Sequence, residues 1–340
     1  MADIESAERH VVTLKDVAVA SGVSISTVSR VLDDRTPRSR SATAERVRAI
    51  ADDLGYRRNV SASSLRRGAT ATIGVLVPRL TDAVMALMFE AIERAAHRRG
   101  YFAVVATCGD DVDEERRATE TLLDRGVDGV VLATARLDDA LPASLRARGI
   151  PHVLALRTDG VSPSSLGDDE TGGYLAVRHL LDLGHRDIGV ITGPWFTSSG
   201  RDRRAGAERA LREAGVDLPE GRVLSAGYGL DHGIDAAREL LSGADRPTAV
   251  FAANDNLALG VSTVAQALGM ETGGELSIVG YNDIPLVSRL PVPLTSVHTH
   301  FDRIAEIALD LLLDTDGSAR IERTMPTLIP RASTAPPRSR

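Results

Sequence analysis

The stretch that decides the fold is VTLKDVAVASGVSISTVSR, residues 12–30. Thr13 and Asp16 have the spacing of a capping box, in which a hydroxyl and a carboxylate each accept a hydrogen bond from a free amide at a helix start. Gly22 can adopt the left-handed backbone that a tight turn needs, and Ser24 is placed to cap a second helix. Two short helices joined by such a turn predict a helix-turn-helix, whose second helix fits the major groove of DNA.

A third helix completes a small bundle. The second helix is predicted over residues 25–32, and the third runs from Thr43 to Leu54, where Val47 and Ile50 share one apolar face and Gly55 ends the helix. Three helices of this size predict a compact all-α head at the N-terminal end of the chain.

Basic residues are concentrated around this motif. Eleven basic and six acidic residues lie between residues 13 and 67, so this segment carries a net charge of +5. The chain of 340 residues carries −7 in total, which leaves −12 for the remainder. A small basic head on a larger acidic body is expected where the head alone contacts phosphates.

From Thr72 onward, apolar runs typical of strands alternate with helical segments. Alternating β–α units predict parallel sheets with helices on both faces. The run IGVLVP at 73–78 is echoed by IGVITGP at 188–194, which suggests two similar subdomains in tandem. Because ligands of open α/β sheets bind at the carboxyl ends of the strands, two facing sheets predict a ligand cleft.

Three segments are predicted to lie outside the folded units. Residues 1–11 are expected to be disordered, and they lack the apolar core of a signal peptide. Residues 59–67, NVSASSLRR, are too polar and too short to hold a helix alone in water. The tail at 332–340 is rich in Pro, Ser and Arg and is predicted to be disordered.

Several classes of protein are disfavoured by composition. No apolar run approaches the length of a membrane span, and the single cysteine, Cys108, excludes an internal disulfide and suits a reducing cytoplasm. His298 and His300 have no evident third ligand, which argues against zinc. Gly172-Gly173 lacks the spacing of a phosphate loop. We therefore expect a soluble protein of the cytoplasm with no metal, cofactor or membrane partner.

Seven stretches, in the same order, resemble the lactose/galactose repressor (LacI/GalR) family of bacterial transcription regulators. The resemblance covers roughly residues 12–331. The stretches are VTLKDVAVASGVSISTVSRVL (12–32), LGYRRNVSASSLRRG (54–68), GHRDIGVITGP (184–194), SSGRDRRAG (198–206), VFAANDNLALG (250–260), LSIVGYNDIP (276–285) and PLTSV (293–297).

This resemblance implies a small helix-turn-helix head on a periplasmic-binding-protein-like α/β body of two doubly wound parallel-sheet subdomains. The body would bind the effector and form the dimer. The implied boundaries are 12–58 for the DNA-binding domain, 59–69 for a hinge helix or linker, about 70–166 with 298–325 for the N-subdomain, and about 167–297 with 326–331 for the C-subdomain.

The resemblance also assigns the DNA contacts. Ile25, Ser26 and Arg30 would occupy the base-reading positions, with Arg30 contacting either a guanine or a phosphate. Leu65 matches a leucine that wedges into the minor groove and bends the duplex, although it could instead pack on the body as a linker residue. The predicted DNA-binding residues are Thr13, Ser24, Ile25, Ser26, Thr27, Ser29, Arg30, Asn59, Ala62 and Leu65.

Effector contacts are implied at the ends of strands in the second subdomain. Arg203 matches a cleft arginine that holds ligand hydroxyl or carboxylate groups, with a surface ion pair to Asp202 as the alternative. Trp195 would either line the cleft or pack in the interior. The predicted effector-binding residues are Trp195, Ser199, Arg203, Tyr228, Asn254 and Asn282.

Three details bear on the ligand and on the cleft. Asn282 stands where sugar-responsive relatives often have aspartate, and an amide donates as well as accepts, which weakens a simple sugar as the effector. Asp255 is expected to cap the helix that follows Asn254. Asp82-Ala83 stands where relatives tend to have Asn-Pro.

Together these observations predict a DNA-binding transcription regulator, acting as a repressor and as a homodimer on a pseudo-palindromic operator in the nucleoid. A small polar effector, such as a sugar, a nucleoside or a related metabolite, would bind in the cleft and control it. A solute-binding protein without DNA function is the alternative. An enzyme would need an acid/base pair, for which Asp255 is the one obvious candidate.

Overall fold

The computed structural model describes residues 12–33, 39–57, 69–243, 245–314 and 320–338. The predicted hinge segment at 59–67 and the N-terminal residues 1–11 lie outside this part of the chain. The chain divides into two compact units, residues 1–70 and 71–340, called here the head and the body. None of the described helices has the length and apolar character needed to cross a membrane.

The head contains the predicted helix-turn-helix. The Thr13–Asp16 capping box is confirmed, Gly22 has a φ of +66°, and Ser24 accepts the amide hydrogen of Thr27. The third helix begins one residue earlier than predicted, because Ser41 acts as its N-cap. The helices are α1 (Leu14–Ser21), α2 (Ile25–Val31) and α3 (Ala42–Asp53).

One apolar side chain from each helix of the head lies at its centre. Val17 of α1, Val28 of α2 and Val47 of α3 are fully buried, and Ala18 and Ala51 pack against them. Val28 and the partly buried Val31 turn one side of α2 towards this core, and the opposite side stays available for other contacts. The apolar core therefore holds α2, the helix that the sequence assigns to DNA recognition, in a fixed position within the head.

The body contains two sheets of six strands each. The strand orders are β11-β5-β4-β3-β1-β2 and β12-β10-β9-β8-β6-β7, and every pairing is parallel except that of β12 with β10. The first sheet consists of β1 (Thr72–Val77), β2 (Phe102–Thr107), β3 (Gly129–Leu132), β4 (His152–Ala155), β5 (Ser164–Gly167) and β11 (Ile321–Thr324). The second consists of β6 (Ile188–Thr192), β7 (Val223–Ser225), β8 (Ala249–Ala252), β9 (Ser277–Asn282), β10 (Thr295–His298) and β12 (Thr327–Ile329).

Helices cover both faces of each sheet, which confirms the doubly wound fold. Helices α4 and α11 pack on one face of the first sheet and α5 and α6 on the other, while α7 and α8 oppose α9 and α10 across the second. Their bounds are α4 (Ala83–Arg98), α5 (Val112–Asp124), α6 (Leu141–Ala147), α7 (Asp169–Asp182), α8 (Ser198–Glu213), α9 (Leu230–Leu241), α10 (Asp255–Ala267) and α11 (Phe301–Leu313).

The chain passes between the two sheets three times. It crosses after β5, after β10 and between β11 and β12, so each subdomain is built from separate segments of the sequence.

The predicted disorder of the tail is wrong as far as Arg338. Ser333 is 1% exposed, its amide donates to the carbonyl of Pro293 at 3.0 Å, and its hydroxyl donates to the carbonyl of Ile278 at 2.6 Å. The same hydroxyl accepts the amide hydrogen of Thr295 at 2.8 Å. The composition of the tail gave no sign of this order, because the hydrogen-bond partners lie some 40 to 55 residues earlier in the chain.

Close contact between α7 and α8 explains why each helix has a glycine at the point where they cross. A Cβ atom at Gly173 would lie 2.0 Å from the carbonyl oxygen of Arg203, and one at Gly206 would lie 1.9 Å from that of Glu170. The absence of side chains at these positions lets the two helices cross with their backbones in contact. This crossing brings Asp169 of α7 next to Arg203 of α8.

Candidate functional site

The predicted DNA-binding residues of the head lie on α2 and at the helix caps. Ser26 and Arg30 are exposed, and Ile25 is 48% exposed although it is apolar. The Ser24 hydroxyl lies 2.8 Å from that of Ser26 and 2.8 Å from that of Thr27, so the start of the helix carries a cluster of hydroxyl groups. The head therefore presents both apolar and polar side chains at the start of α2.

The other predicted DNA-binding residues differ in position. Thr13 caps α1, and Ser29 is half-buried on α2. Asn59, Ala62 and Leu65 lie outside the described residues.

A cavity lies between the carboxyl ends of the two sheets of the body, the place where open α/β sheets bind their ligands. Five residues that follow strands of the first sheet form one side, called here the first wall: Asp82, Val84, Met85, Leu156 and Arg157. Five residues of the second sheet or the segments that follow its strands form the second wall: Ser199, Arg203, Tyr228, Asn254 and Asn282.

Arg203 lies in the cavity lining and not in a surface ion pair. It is 7% exposed, its Nε donates to Asp169 at 2.7 Å, and its Nη1 donates to the carbonyl of Ala253 at 2.6 Å. The surface alternative is wrong, because Asp202 pairs with Arg201.

The buried pair of Arg203 and Asp169 is packed against an aromatic ring. The guanidinium carbon of Arg203 lies 3.7 Å from the centre of the Tyr281 ring. Burial raises the pKa of the Asp169 carboxyl, and the adjacent guanidinium opposes this shift by favouring the carboxylate. The pair is therefore a charge-balanced element that fixes the position of the Arg203 side chain.

Tyr228 and Asn254 are linked in the second wall. The Tyr228 hydroxyl lies 2.9 Å from that of Ser199, and the Asn254 amide donates to the carbonyl of Tyr228 at 2.9 Å. The side-chain oxygen of Asn254 accepts the amide hydrogen of Leu257 at 2.8 Å, so Asn254 is the N-cap of α10. The expectation that Asp255 caps this helix is wrong.

Asp255 instead joins the segment after β9 to strand β10. It is 1% exposed and accepts hydrogen bonds from the Ile284 amide at 2.8 Å and the Ser296 hydroxyl at 2.6 Å. Burial raises the pKa of its carboxyl to about 7, against the lowering effect of these two hydrogen bonds. No side chain that could act as its catalytic partner lies in these contacts.

Two residues in the cavity lining have a backbone that side chains rarely adopt. Leu156, after β4, has a φ of +64°, and Asn282, at the end of β9, has a φ of +98°. β4 and β9 occupy the same place in their respective sheet orders. Such conformations cost on the order of 1–3 kcal/mol each and concentrate at ligand sites.

Sequence reasoning missed the first wall. Asp82 caps α4 through the amide of Val84 at 3.1 Å, and burial raises the pKa of its carboxyl. Arg157 is 7% exposed. Both residues follow strands of the first sheet, and that position was the signal that could have identified them.

Trp195 does not lie in the cavity lining. Its side chain is 73% exposed, and its ring contacts that of Phe196 edge-on at 5.9 Å between centroids. Neither predicted position, in the cleft or in the interior, agrees with this exposure.

The two histidines considered for zinc have other contacts. His298 lies 3.1 Å from a carboxylate oxygen of Asp283, and its ring packs edge-on against His300. Within the described residues, no three His, Cys, Asp or Glu side chains are grouped closely enough to hold a metal.

Comparison with known proteins gives the class of this protein. A family model described as bacterial regulatory proteins, lacI family, matches residues 13–59, and a periplasmic binding protein-like domain matches residues 177–334. The HTH-type transcriptional repressor PurR of Vibrio vulnificus is 32% identical over 94% of this chain and 97% of its own length. The ribose operon repressor of Escherichia coli K12 is 35% identical over 88% of this chain and 92% of its own length.

Solved structures agree with this class. The lac repressor dimer bound to operator and the anti-inducer ONPF has a TM-score of 0.85 at 28% identity and covers 95% of this chain and 99% of its own. A LacI family regulator from Enterococcus faecium with bound ribose has a TM-score of 0.68 at 28% identity, covering 78% of this chain and 99% of its own. The chain belongs to the LacI family: it is a DNA-binding transcriptional repressor and not an enzyme.

Proposed function

We propose that this repressor binds a pseudo-palindromic operator as a symmetric homodimer and that a small polar molecule in the body cavity controls this binding. The observation that carries the proposal is the cavity itself, because buried polar side chains from both subdomains converge on it. Its effector-binding residues are Ser199, Arg203, Tyr228, Asn254 and Asn282, together with Asp82 and Arg157 of the first wall.

The head supplies the DNA contacts. Ile25, Ser26 and Arg30 of α2 read base edges in the major groove, and Arg30 contacts either a guanine or a phosphate. Residues 59–67 order as a hinge helix on the operator, where Leu65 opens a base step in the minor groove. The operator-bound lac repressor, similar over 95% of this chain, supports this arrangement.

An exposed sheet edge supports the dimer. β2 is the last strand of the first sheet, and Phe102 at its start is 65% exposed. An unprotected edge with an apolar side chain is a favourable surface for a second subunit. A two-fold dimer would present two copies of α2 to two half-sites of the operator.

The cavity couples the effector to DNA. A ligand that contacts both walls stabilises one relative position of the two subdomains, and that position determines how the dimer places its hinge segments. The ligand changes operator affinity only as far as it binds the two states with different affinity. A sugar or a related metabolite suits the hydrogen-bonding side chains, and the relatives include a ribose operon repressor. A protein with this role acts in the cytoplasm, at the nucleoid.

DNA footprinting tests this proposal. The full-length protein is incubated with the region upstream of its own gene at moderate salt, with and without a mixture of polar metabolites. We expect a short symmetric footprint whose occupancy changes with one metabolite. The absence of a discrete footprint under every condition would favour a solute-binding protein without DNA function.

A further inference from the structure

Two buried arginines line the cavity, and the protein neutralises one of them. Arg203 and Arg157 are each 7% exposed. Arg203 has a carboxylate partner, Asp169, at 2.7 Å and a carbonyl partner at 2.6 Å. Arg157 makes one long hydrogen bond, from Nη1 to the carbonyl of Thr134 at 3.4 Å, and no carboxylate of the described residues forms an ion pair with it.

The hydrogen-bonding capacity of Arg157 is therefore largely unused within the protein. A guanidinium has five N–H donors in a planar fork, and burial removes the water that would otherwise accept from them. The guanidinium carbon lies 5.5 Å from the centre of the Tyr228 ring, a contact with the ring face that uses none of the N–H donors.

The backbone holds Arg157 in place through a strained conformation of the residue before it. Leu156, the residue before it, is in the left-handed region with a φ of +64° and is 8% exposed. Its amide donates to the carbonyl of Ser165 at 2.9 Å, which ties the strained residue to the neighbouring strand. A leucine keeps this conformation only where the surroundings enforce it. Arg157 is thus presented to the cavity by a rigid and strained segment.

The acidic side chains near Arg157 bond to other groups and do not contact its guanidinium. Glu115 accepts a hydrogen bond from the Thr134 hydroxyl, and burial raises the pKa of its carboxyl to about 7. Asp82 lines the same cavity, where it accepts hydrogen bonds from the Val84 amide and, at 3.4 Å, from Asn256. Both interact with Arg157 through space, and neither forms an ion pair with it.

We infer that the effector carries an oxyanion, a carboxylate or a phosphate, that binds to the guanidinium of Arg157. The planar fork of arginine matches the two oxygens of such a group. Asp82, which would repel an anion, instead accepts hydrogen bonds from hydroxyl groups on another part of the same molecule. A sugar acid or a sugar phosphate has both features, whereas a neutral sugar or a nucleoside lacks the oxyanion. This inference rests on the proposed function, in which the cavity is the effector site.

The test uses matched ligands and matched variants of the full-length protein. Binding of D-ribose, D-ribose 5-phosphate, D-glucose, D-gluconate and inorganic phosphate is measured by thermal unfolding and calorimetry, with sodium chloride at equal ionic strength as the salt control. Arg157→Gln removes the charge and keeps a polar side chain. Arg136→Gln is the control, because Arg136 pairs with Asp138 and stacks on Phe196 away from the cavity lining.

We expect at least one anionic compound to bind about tenfold or more tightly than its neutral parent. Arg157→Gln should abolish this preference, and Arg136→Gln should retain it. If Arg157→Gln fails to unfold cooperatively, Arg157→Lys replaces it and should weaken the preference, because a lysine keeps the charge but loses the fork. Equal preference in the wild type and both Arg157 variants, or no anionic preference in the wild type, would overturn the inference.

Operator footprinting separates this inference from the proposed function. If a neutral sugar alone changes the footprint, the regulator proposal stands and the oxyanion inference is wrong. If no operator is bound but anions bind through Arg157, the cavity takes an oxyanion ligand and the regulator proposal is wrong.

Discussion

The two walls of the cavity come from similar sheets but differ in how their charged side chains are satisfied. In the second wall, Arg203 is paired with Asp169, and Asn254 caps a helix while bonding to the Tyr228 carbonyl. In the first wall, Arg157 has a single long hydrogen bond to the protein. The charge of Arg203 is therefore balanced by the protein before a ligand binds, whereas Arg157 keeps most of its donors for the ligand.

Removing Arg203 should give the largest effect. Arg203→Met leaves the buried Asp169 carboxylate without its partner, and breaking a buried pair costs about 3–5 kcal/mol. Urea unfolding of the body transition should show this loss. Adding Asp169→Leu to the same chain should restore much of it, since the uncompensated charge is gone. Wild-type stability of the Arg203→Met variant would contradict the assignment of this pair.

The crossing of α7 and α8 should give the next largest effect. Gly206→Ala places a methyl group 1.9 Å from the carbonyl oxygen of Glu170, so the helices must separate. We expect a loss of about 1–3 kcal/mol in the free energy of unfolding. Gly221→Ala is the matched control, because a Cβ atom there meets nothing within 4 Å. Similar losses in both variants would mean that the close crossing does not position Arg203.

The stability of the body should depend on pH through two buried carboxyl groups, one beside each wall. The pKa values of Glu115 and Asp255 are raised to about 7, so between their ordinary values and 7 the folded protein holds protons that the unfolded chain releases. Stability from each group is fully present below its ordinary pKa and is lost as the pH rises from there through about 7, by on the order of 3 kcal/mol.

Unfolding curves recorded from about pH 4 to about pH 8 provide the measurement. Glu115→Gln and Asp255→Asn should each flatten part of the pH profile, and the double variant should flatten most of it. A profile that stays steep in the double variant would assign the dependence to other groups.

The smallest effect is expected at the surface behind the first wall. Arg94 of α4 pairs with Asp302 of α11 at 2.7 Å, with both side chains about half or more exposed. Arg94→Gln should lower the free energy of unfolding by less than about 1 kcal/mol, because exposed pairs are screened by water. A larger loss would show that the first wall depends on this surface contact, as the second depends on its buried pair.

Local features of the sequence predicted the local features of the structure. Thr13 and Ser24 are helix caps because their partners lie three residues away, and the strand pattern follows from apolar runs that parallel sheets bury on both faces. Arg203, Asn254 and Asn282 lie in recognisable motifs, and the structure places all three in the second wall.

The remaining features depend on contacts between distant parts of the chain. Arg157 enters the lining because β4 ends opposite the second sheet, and its position after a strand was the only sequence signal for it. Ser333 is ordered by partners in two remote strands. Trp195 is exposed, and neither its size nor its apolar character could indicate that.

The central claim is that a ligand between the two walls sets the affinity of the head for DNA. The most direct test is to titrate the full-length protein onto the footprinted operator at fixed salt, with and without the compound that binds the cavity. The account predicts a change in operator dissociation constant of about fivefold or more. An unchanged dissociation constant, at a ligand concentration that fills the cavity, would contradict it.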